Sequence, residues 1–245
     1  GFGLNKDGEQ VFLSYLPGTD YDRVVDAFRF KGQENGISEG RHPDGAPYWT
    51  ALTPTPGTTN ALPEAHVHIS EIMYHPAPTV LNPEDNTLGE YIEIYNPLAS
   101  SVDLWSSAGR WRINGGVSYS FPVSTTLAPG QRIVLLPFDP VADPVNRQIF
   151  ENAYGLTNGQ ARLLGPYQGK LNNNSERLTL EKPQDPDFPA VSISWVIVDE
   201  LVYLDEFPWP SGTDATGAGL QRISTQGAGG DPSVWINGFI ATPGA

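Results

Sequence analysis

Glycine and proline settle first what this chain can fold into. They supply 26 and 23 of its 245 residues, spread along the whole length. Proline fixes φ and removes a backbone donor, and glycine opens conformations closed to other residues. This density therefore cuts the chain into short elements joined by turns. Long helices do not survive it. Between the punctuation lie runs rich in β-branched and aromatic residues: "QVFLSYL", "HVHISEIMY", "EYIEIYN", "VSYSFPV", "QRIVLLPF", "ERLTLEK" and "VSISWVIVDELVYL". In "EYIEIYN", Ile92 and Ile94 share one face and Tyr91, Glu93 and Tyr95 the other, the period-2 pattern of a strand packed on one side only. "DPVNRQIFENAYGL" reads as the one helix, with Asp143 as cap, Pro144 at the first position and Gly155 as stop. "GAGLQRIS" reads as a loop closing the domain. Short, regularly spaced strands with one short helix predict an all-β fold, a β-sandwich.

The chain also repeats itself. "LNKDGEQVFL" from Leu4 matches "LNNNSERLTL" from Leu171, and "VDAFRF" from Val25 matches "VDELVY" from Val198. Arg41, Trp49 and Thr55-Pro56-Gly57 then match Arg222, Trp235 and Thr242-Pro243-Gly244. Strand-like sequence fills the stretch ahead of Leu171, whereas Leu4 is the fourth residue. The expected organisation is a C-terminal half of a domain over 1–61, a linker over 62–65 and a complete β-sandwich over 66–245. The half-domain is expected to carry unpaired strand edges.

Composition narrows the function. The 28 acids against 14 Lys and Arg give a net charge of −14, which repels phosphate backbones and argues against nucleic acid. With no cysteine, disulfides, thiol catalysis and cysteine zinc sites are excluded. No stretch approaches the 18 apolar residues of a membrane span. The signatures G-x-S-x-G and H-E-x-x-H and a phosphate-binding glycine loop are missing, so no catalytic motif is found.

In order, "HISEIMYHP", "GEYIEIYNPLASSVDLW", "RWRINGGVSYSFPVSTTLAPGQRIVL" and the closing "VDELVYLDEFPWP", "GAGLQRI", Trp235 and "TPG" resemble the lamin-tail domain in its bacterial secreted form. The run Glu90 to Asn96, then Trp111, then Ser120-Phe121-Pro122 and the Leu127-Ala128-Pro129-Gly130 turn carry the resemblance. It covers nearly all of 66–245, and its tail section recurs over 1–61. The resemblance implies an immunoglobulin-like β-sandwich, with a partial β-domain ahead of it. It also implies an extracellular or cell-surface setting in a larger protein and an accessory or architectural role, since the family shares no catalytic residues.

Three kinds of candidate site remain. His66 and His68 lie two apart, and imidazoles near acids hold zinc or copper. Asn82, Glu84 and Asp85 place oxygen ligands in a short turn, as extracellular calcium sites do. Both groups are also ordinary strand-edge and turn chemistry, so no cofactor is certain and calcium is the one carried forward. Tyr91, Tyr95, Trp105 and Trp209 are the aromatics that would stack on sugar rings if exposed, whereas Trp111 and Trp235 read as core.

The leading expectation is a non-enzymatic interaction or architectural module whose partners are other copies of itself or neighbouring domains, assembling by strand complementation. A carbohydrate-binding accessory module acting on polysaccharide and a metal-dependent hydrolase using His66 and His68 are the alternatives.

Overall fold

The computed structural model describes residues 3–80, 82–157, 159–184 and 193–245. The alternating runs become strands because every second side chain finds an apolar neighbour. In chain order these are β1 (Gly8–Tyr15), β2 (Arg23–Lys31), β3 (Ser38–Gly40), β4 (Thr50–Leu52), β5 (His68–Met73) and β6 (Tyr91–Tyr95). Next come β7 (Val102–Asp103), β8 (Trp105–Ser106), β9 (Gly109–Arg110), β10 (Arg112–Gly115), β11 (Val117–Ser120), β12 (Thr126–Leu127) and β13 (Arg132–Leu135). Helix α1 (Pro144–Ala153) precedes β14 (Leu163–Leu164), β15 (Gln168–Gly169), β16 (Ser175–Pro183), β17 (Trp195–Leu204), β18 (Gly219–Arg222) and β19 (Trp235–Gly238). Val191 and Ser192, the start of the last long apolar run, lie outside the described residues. Strand accounts for 37% of the chain against 7% helix, so the fold is all-β.

Two sheets dominate. One has the order β14-β13-β6-β5-β18-β19 and the other β15-β11-β10-β16-β17. Ile69, Ile72, Ile92, Ile94, Ile133 and Leu220 of the first sheet share a buried cluster with Ile113, Val117, Leu178, Leu180, Leu201 and Tyr203 of the second. Each buried aliphatic side chain of this kind is worth roughly 1.5–3 kcal/mol of transfer free energy. That shared interior makes the pair of sheets a β-sandwich, as expected from the turn spacing.

Two expectations fail here, for identifiable reasons. Strand β6 is buried on both faces. Met73, Tyr91, Val134, Leu136, Phe138 and Phe150 form a second cluster outside the six-stranded sheet, and Phe150 comes from α1. The helix lies where solvent was expected. Its cap is as read: the Asp143 carboxylate accepts from the Asn146 amide at 3.0 Å, with Pro144 following and Gly155 at φ +65°. "GAGLQRIS" is not a loop either, because Leu220 and Gln221 pair with Ile72 and Glu71 as β18 of the sheet. Among the described residues no helix is long and apolar enough to cross a membrane.

Residues 3–61 hold the hairpins β1-β2 and β3-β4, whose geometry parallels that of β16-β17 and β18-β19. In β1-β2, Val11 faces Phe28 and Leu13 faces Asp26, with a bulge between Leu13 and Ser14. In β16-β17, Leu178 faces Leu201 and Leu180 faces Asp199, with a bulge between Leu180 and Glu181. The segment touches the sandwich beside β17: Gly32 bridges Val196, the Gly32 amide donates to Trp195 O at 2.9 Å, and Lys31 pairs with Glu181.

Candidate functional site

Where the two main sheets meet, one buried ion pair ties three strands. Asp199 rises from β17 and Arg222 closes β18. Arg222 Nη1 donates to both Asp199 oxygens, at 3.0 and 2.9 Å, and Nη2 donates to Gly227 O at 2.7 Å. The Ile69 amide of β5 donates to Asp199 Oδ2 at 2.9 Å. The guanidinium carbon lies 5.9 Å from the Trp235 ring, whose Nε1 donates to Gly229 O at 2.8 Å. Burial alone would raise the Asp199 pKa, but Arg222 and His66 outweigh it and hold the carboxyl well below the usual range. Burial and the Arg222 charge lower His68 to about 4, so its ring is neutral at pH 7.

This geometry speaks against a metal at His66 and His68. His66 Nε2 sits 3.5 Å from Asp199 Oδ1, and the two histidine rings cross at 78° with centroids 6.1 Å apart. Among the described residues no group of three His, Asp or Glu is arranged to hold a metal ion. The acidic turn is likewise engaged elsewhere: Asp85 Oδ2 accepts from Lys170 at 2.9 Å, the Asn82 amide donates to Thr79 Oγ1 at 3.0 Å, and Glu84 is exposed.

The expected aromatic strip does not form. Tyr91 is fully buried, donating to Glu71 Oε1 at 2.6 Å with Tyr154 edge-on at 5.3 Å. Trp209 is 5% exposed, its ring centroid 6.1 Å from that of Trp235. Tyr95 is half-buried beneath Arg132, whose guanidinium lies 4.3 Å from its ring. Only Trp105, on the small β8-β9 hairpin, presents a face to solvent.

Sequence reasoning missed the role of two glutamates. Glu71 and Glu93 lie opposite each other on β5 and β6 and receive the closing Thr-Pro-Gly turn. The Thr242 amide donates to Glu71 Oε1 at 3.0 Å and the Gly244 amide to Glu93 Oε2 at 2.7 Å. Burial raises the Glu93 pKa to about 7. The repeat marked the turn but not its receptor.

Residues 3–61 contain the same parts in an open state. Arg41 Nη2 donates to Asp26 Oδ1 at 2.7 Å and its guanidinium lies 4.8 Å from Trp49. Those side chains are 24% and 38% exposed, against 0% and 2% for Arg222 and Asp199. Asp26 Oδ2 accepts no hydrogen bond among the described residues, where Asp199 Oδ2 takes the Ile69 amide. The Thr58 amide closes a turn on Thr55 O as the Ala245 amide does on Thr242 O, with Gly57 and Gly244 at φ +78° and +82°. Leu4, Val11 and Leu13 are 62%, 41% and 63% exposed, while Leu171, Leu178 and Leu180 are at 0%.

A family model for the lamin tail domain matches residues 60–196, more than half of the 245 residues. No curated protein and no solved structure gives a significant match to the chain. The matched span contains β5 to β16 and the first two residues of β17; the rest of β17, with β18 and β19, lies beyond it and pairs into the same two sheets. With the family's model covering most of an immunoglobulin-like sandwich, the chain belongs to the lamin tail domain family.

Proposed function

We propose that this chain is a non-enzymatic interaction and architectural module of a larger bacterial secreted or surface protein. Residues 1–61 are the C-terminal half of a lamin-tail-like domain, 62–65 a linker and 66–245 the complete one. The module associates through its N-terminal half with other copies of itself or with neighbouring domains of the same polypeptide. One observation carries this reading: Val11 and Leu13 lie open on a hairpin, with Leu4 open ahead of it, and that hairpin's register matches β16-β17, where the matching leucines are sealed. Exposed apolar faces with unpaired edges are association sites. The buried acids support a non-enzymatic role, since Asp199, Glu71, Glu93 and Glu90 all accept backbone amides.

Light scattering across a concentration series, with limited proteolysis, tests the reading. Concentration-dependent association that Leu13→Glu abolishes is the expected result. A monodisperse monomer whose residues 3–61 resist protease would overturn it.

A carbohydrate-binding accessory role draws support from a groove of about 860 Å³ beside the N-terminal segment, lined by Tyr48, Trp49, Trp209, Arg177, Glu200 and Asp231. Retardation on soluble polysaccharides, lost in Trp49→Ala, is the expected result for that role. The same migration in every polysaccharide gel would remove it. Among the described residues no group of three His, Asp or Glu supports the third reading, a metal-dependent hydrolase.

A further inference from the structure

We propose that residues 4–57 are a receiving half-sandwich for a polypeptide segment with the strand pattern of residues 66–96, the front half of a lamin tail fold. The proposal rests on the interaction-module reading and names its partner. Three features point to one occupant, because in the complete domain each is satisfied by residues 69–94.

The first is the apolar face. Leu178 and Leu180 are sealed in one buried cluster that also holds Ile69, Ile72, Ile92 and Ile94. Val11 and Leu13 hold the matching positions, each facing the residue of β2 that corresponds to its counterpart's partner on β17. A face with this shape and spacing fits two strands carrying isoleucines at those intervals.

The second is the ion pair. Asp199 Oδ2 accepts a backbone amide from β5, whereas Asp26 meets Arg41 and the amide of its own neighbour Ala27 through Oδ1 and leaves Oδ2 without a partner among the described residues. A free strand edge lies beside it. In the complete domain β5 pairs with β18 through Ile72-Leu220 and Glu71-Gln221. The register of β3-β4 carries Gly40 opposite Thr50, as Gln221 lies opposite Ile236. Among the described residues β3 has no second neighbour in its sheet.

The third is the turn. Thr242 and Gly244 donate their amides to Glu71 and Glu93. Thr55-Pro56-Gly57 forms the same turn with Pro56 and Gly57 exposed, and its Thr55 hydroxyl bonds Asn60. A donor bringing two glutamates across adjacent strands completes it. The match departs at one place, since Glu39 stands where Leu220 fills the core.

The full chain, with a synthetic polypeptide of residues 66–96 as probe, provides the test, read by calorimetry and amide hydrogen exchange. Saturable 1:1 binding is expected, with new protection in β1 and β3 and none gained in β16 to β19. Asp26→Ala in the chain, and Glu71→Gln with Glu93→Gln in the probe, should each weaken binding about tenfold, the effect of one lost charged hydrogen bond. Asp26→Ala leaves the complete domain intact, which its unchanged unfolding midpoint verifies. Probe-dependent protection in β16 to β19 instead would overturn the proposal. So would the same β1 and β3 protection arising in the chain alone as it dimerises. That result assigns the slot to a second copy and leaves the interaction reading standing. No binding by a monomer whose β1 and β3 amides are already protected would overturn both.

Discussion

Arg222 and Asp199 form a two-point ion pair with neither side chain more than 2% exposed. Truncating one partner leaves the other buried and uncompensated, at a cost of about 3–5 kcal/mol. Asp199→Ala is expected to lose that much in urea unfolding at pH 7. Asp26→Ala, at the more exposed counterpart, is expected to lose less than about 1 kcal/mol. Similar losses from the two would refute the assignment of Asp199 as the tie between sheets.

The leucine contrast gives a second comparison. Leu178 is fully buried, and its replacement by alanine should cost about 2–5 kcal/mol through lost transfer energy and a residual cavity. Leu13 at 63% exposure should tolerate alanine within about 0.5 kcal/mol. Denaturant midpoints at constant slope measure both. A large loss at Leu13 would mean that its face is already covered in solution.

Glu90 sets a pH dependence. It is fully buried, its Oε2 accepting from the Tyr167 hydroxyl at 2.9 Å and the Leu171 amide at 3.0 Å, and burial raises its pKa from 4.5 to about 7. Between those values the folded state binds more protons than the unfolded. The stability it contributes is complete below about 4.5 and lost as pH rises through about 7. Glu39 and Glu93 act in the same direction, while His68, lowered to about 4, opposes them up to its ordinary value of 6.5. Glu90→Gln mimics the protonated form. It should flatten the curve between pH 5 and 8 and stabilise the protein at pH 8 by on the order of 2 kcal/mol. A mutant curve parallel to the wild type would show that Glu90 titrates normally.

Helix α1 shields Tyr91, so its cap has a measurable effect. Asp143→Ala removes the acceptor for the Asn146 amide and should cost about 1 kcal/mol, whereas Asp143→Asn should cost only a few tenths. Equal losses from both would point to the carboxylate charge rather than the hydrogen bond.

What the sequence made legible was local. Period-2 runs located β5, β6, β13, β16 and β17, and Asp143-Pro144 with Gly155 located the helix, because these signals come from near neighbours. Contacts made far along the chain were not legible. The second face of β6 is covered by Phe150, some sixty residues on, and nothing around Tyr91 announces that. Gly219 looked like turn punctuation. It is a close approach between strands, where a Cβ would meet Ile72 O at 2.9 Å. The repeat singled out Arg222 and the Thr-Pro-Gly turn. Arg222 donates to Asp199, which the Ile69 amide also reaches, and the turn is received by Glu71 and Glu93. Ile69, Glu71 and Glu93 lie on β5 and β6, far from both in sequence.

The pairing of Ile72 with Leu220, about 150 residues apart, also orders events at the ribosome. At roughly 5–20 residues per second, β5 waits on the order of ten seconds or more for β18 to be made. Before β16 and β17 emerge, the hairpins β1-β2 and β3-β4 are already made. A nascent chain therefore offers β5 an early, imperfect partner before its final one. A denatured chain diluted into buffer offers both at once, so the two routes to the same sandwich begin from different choices.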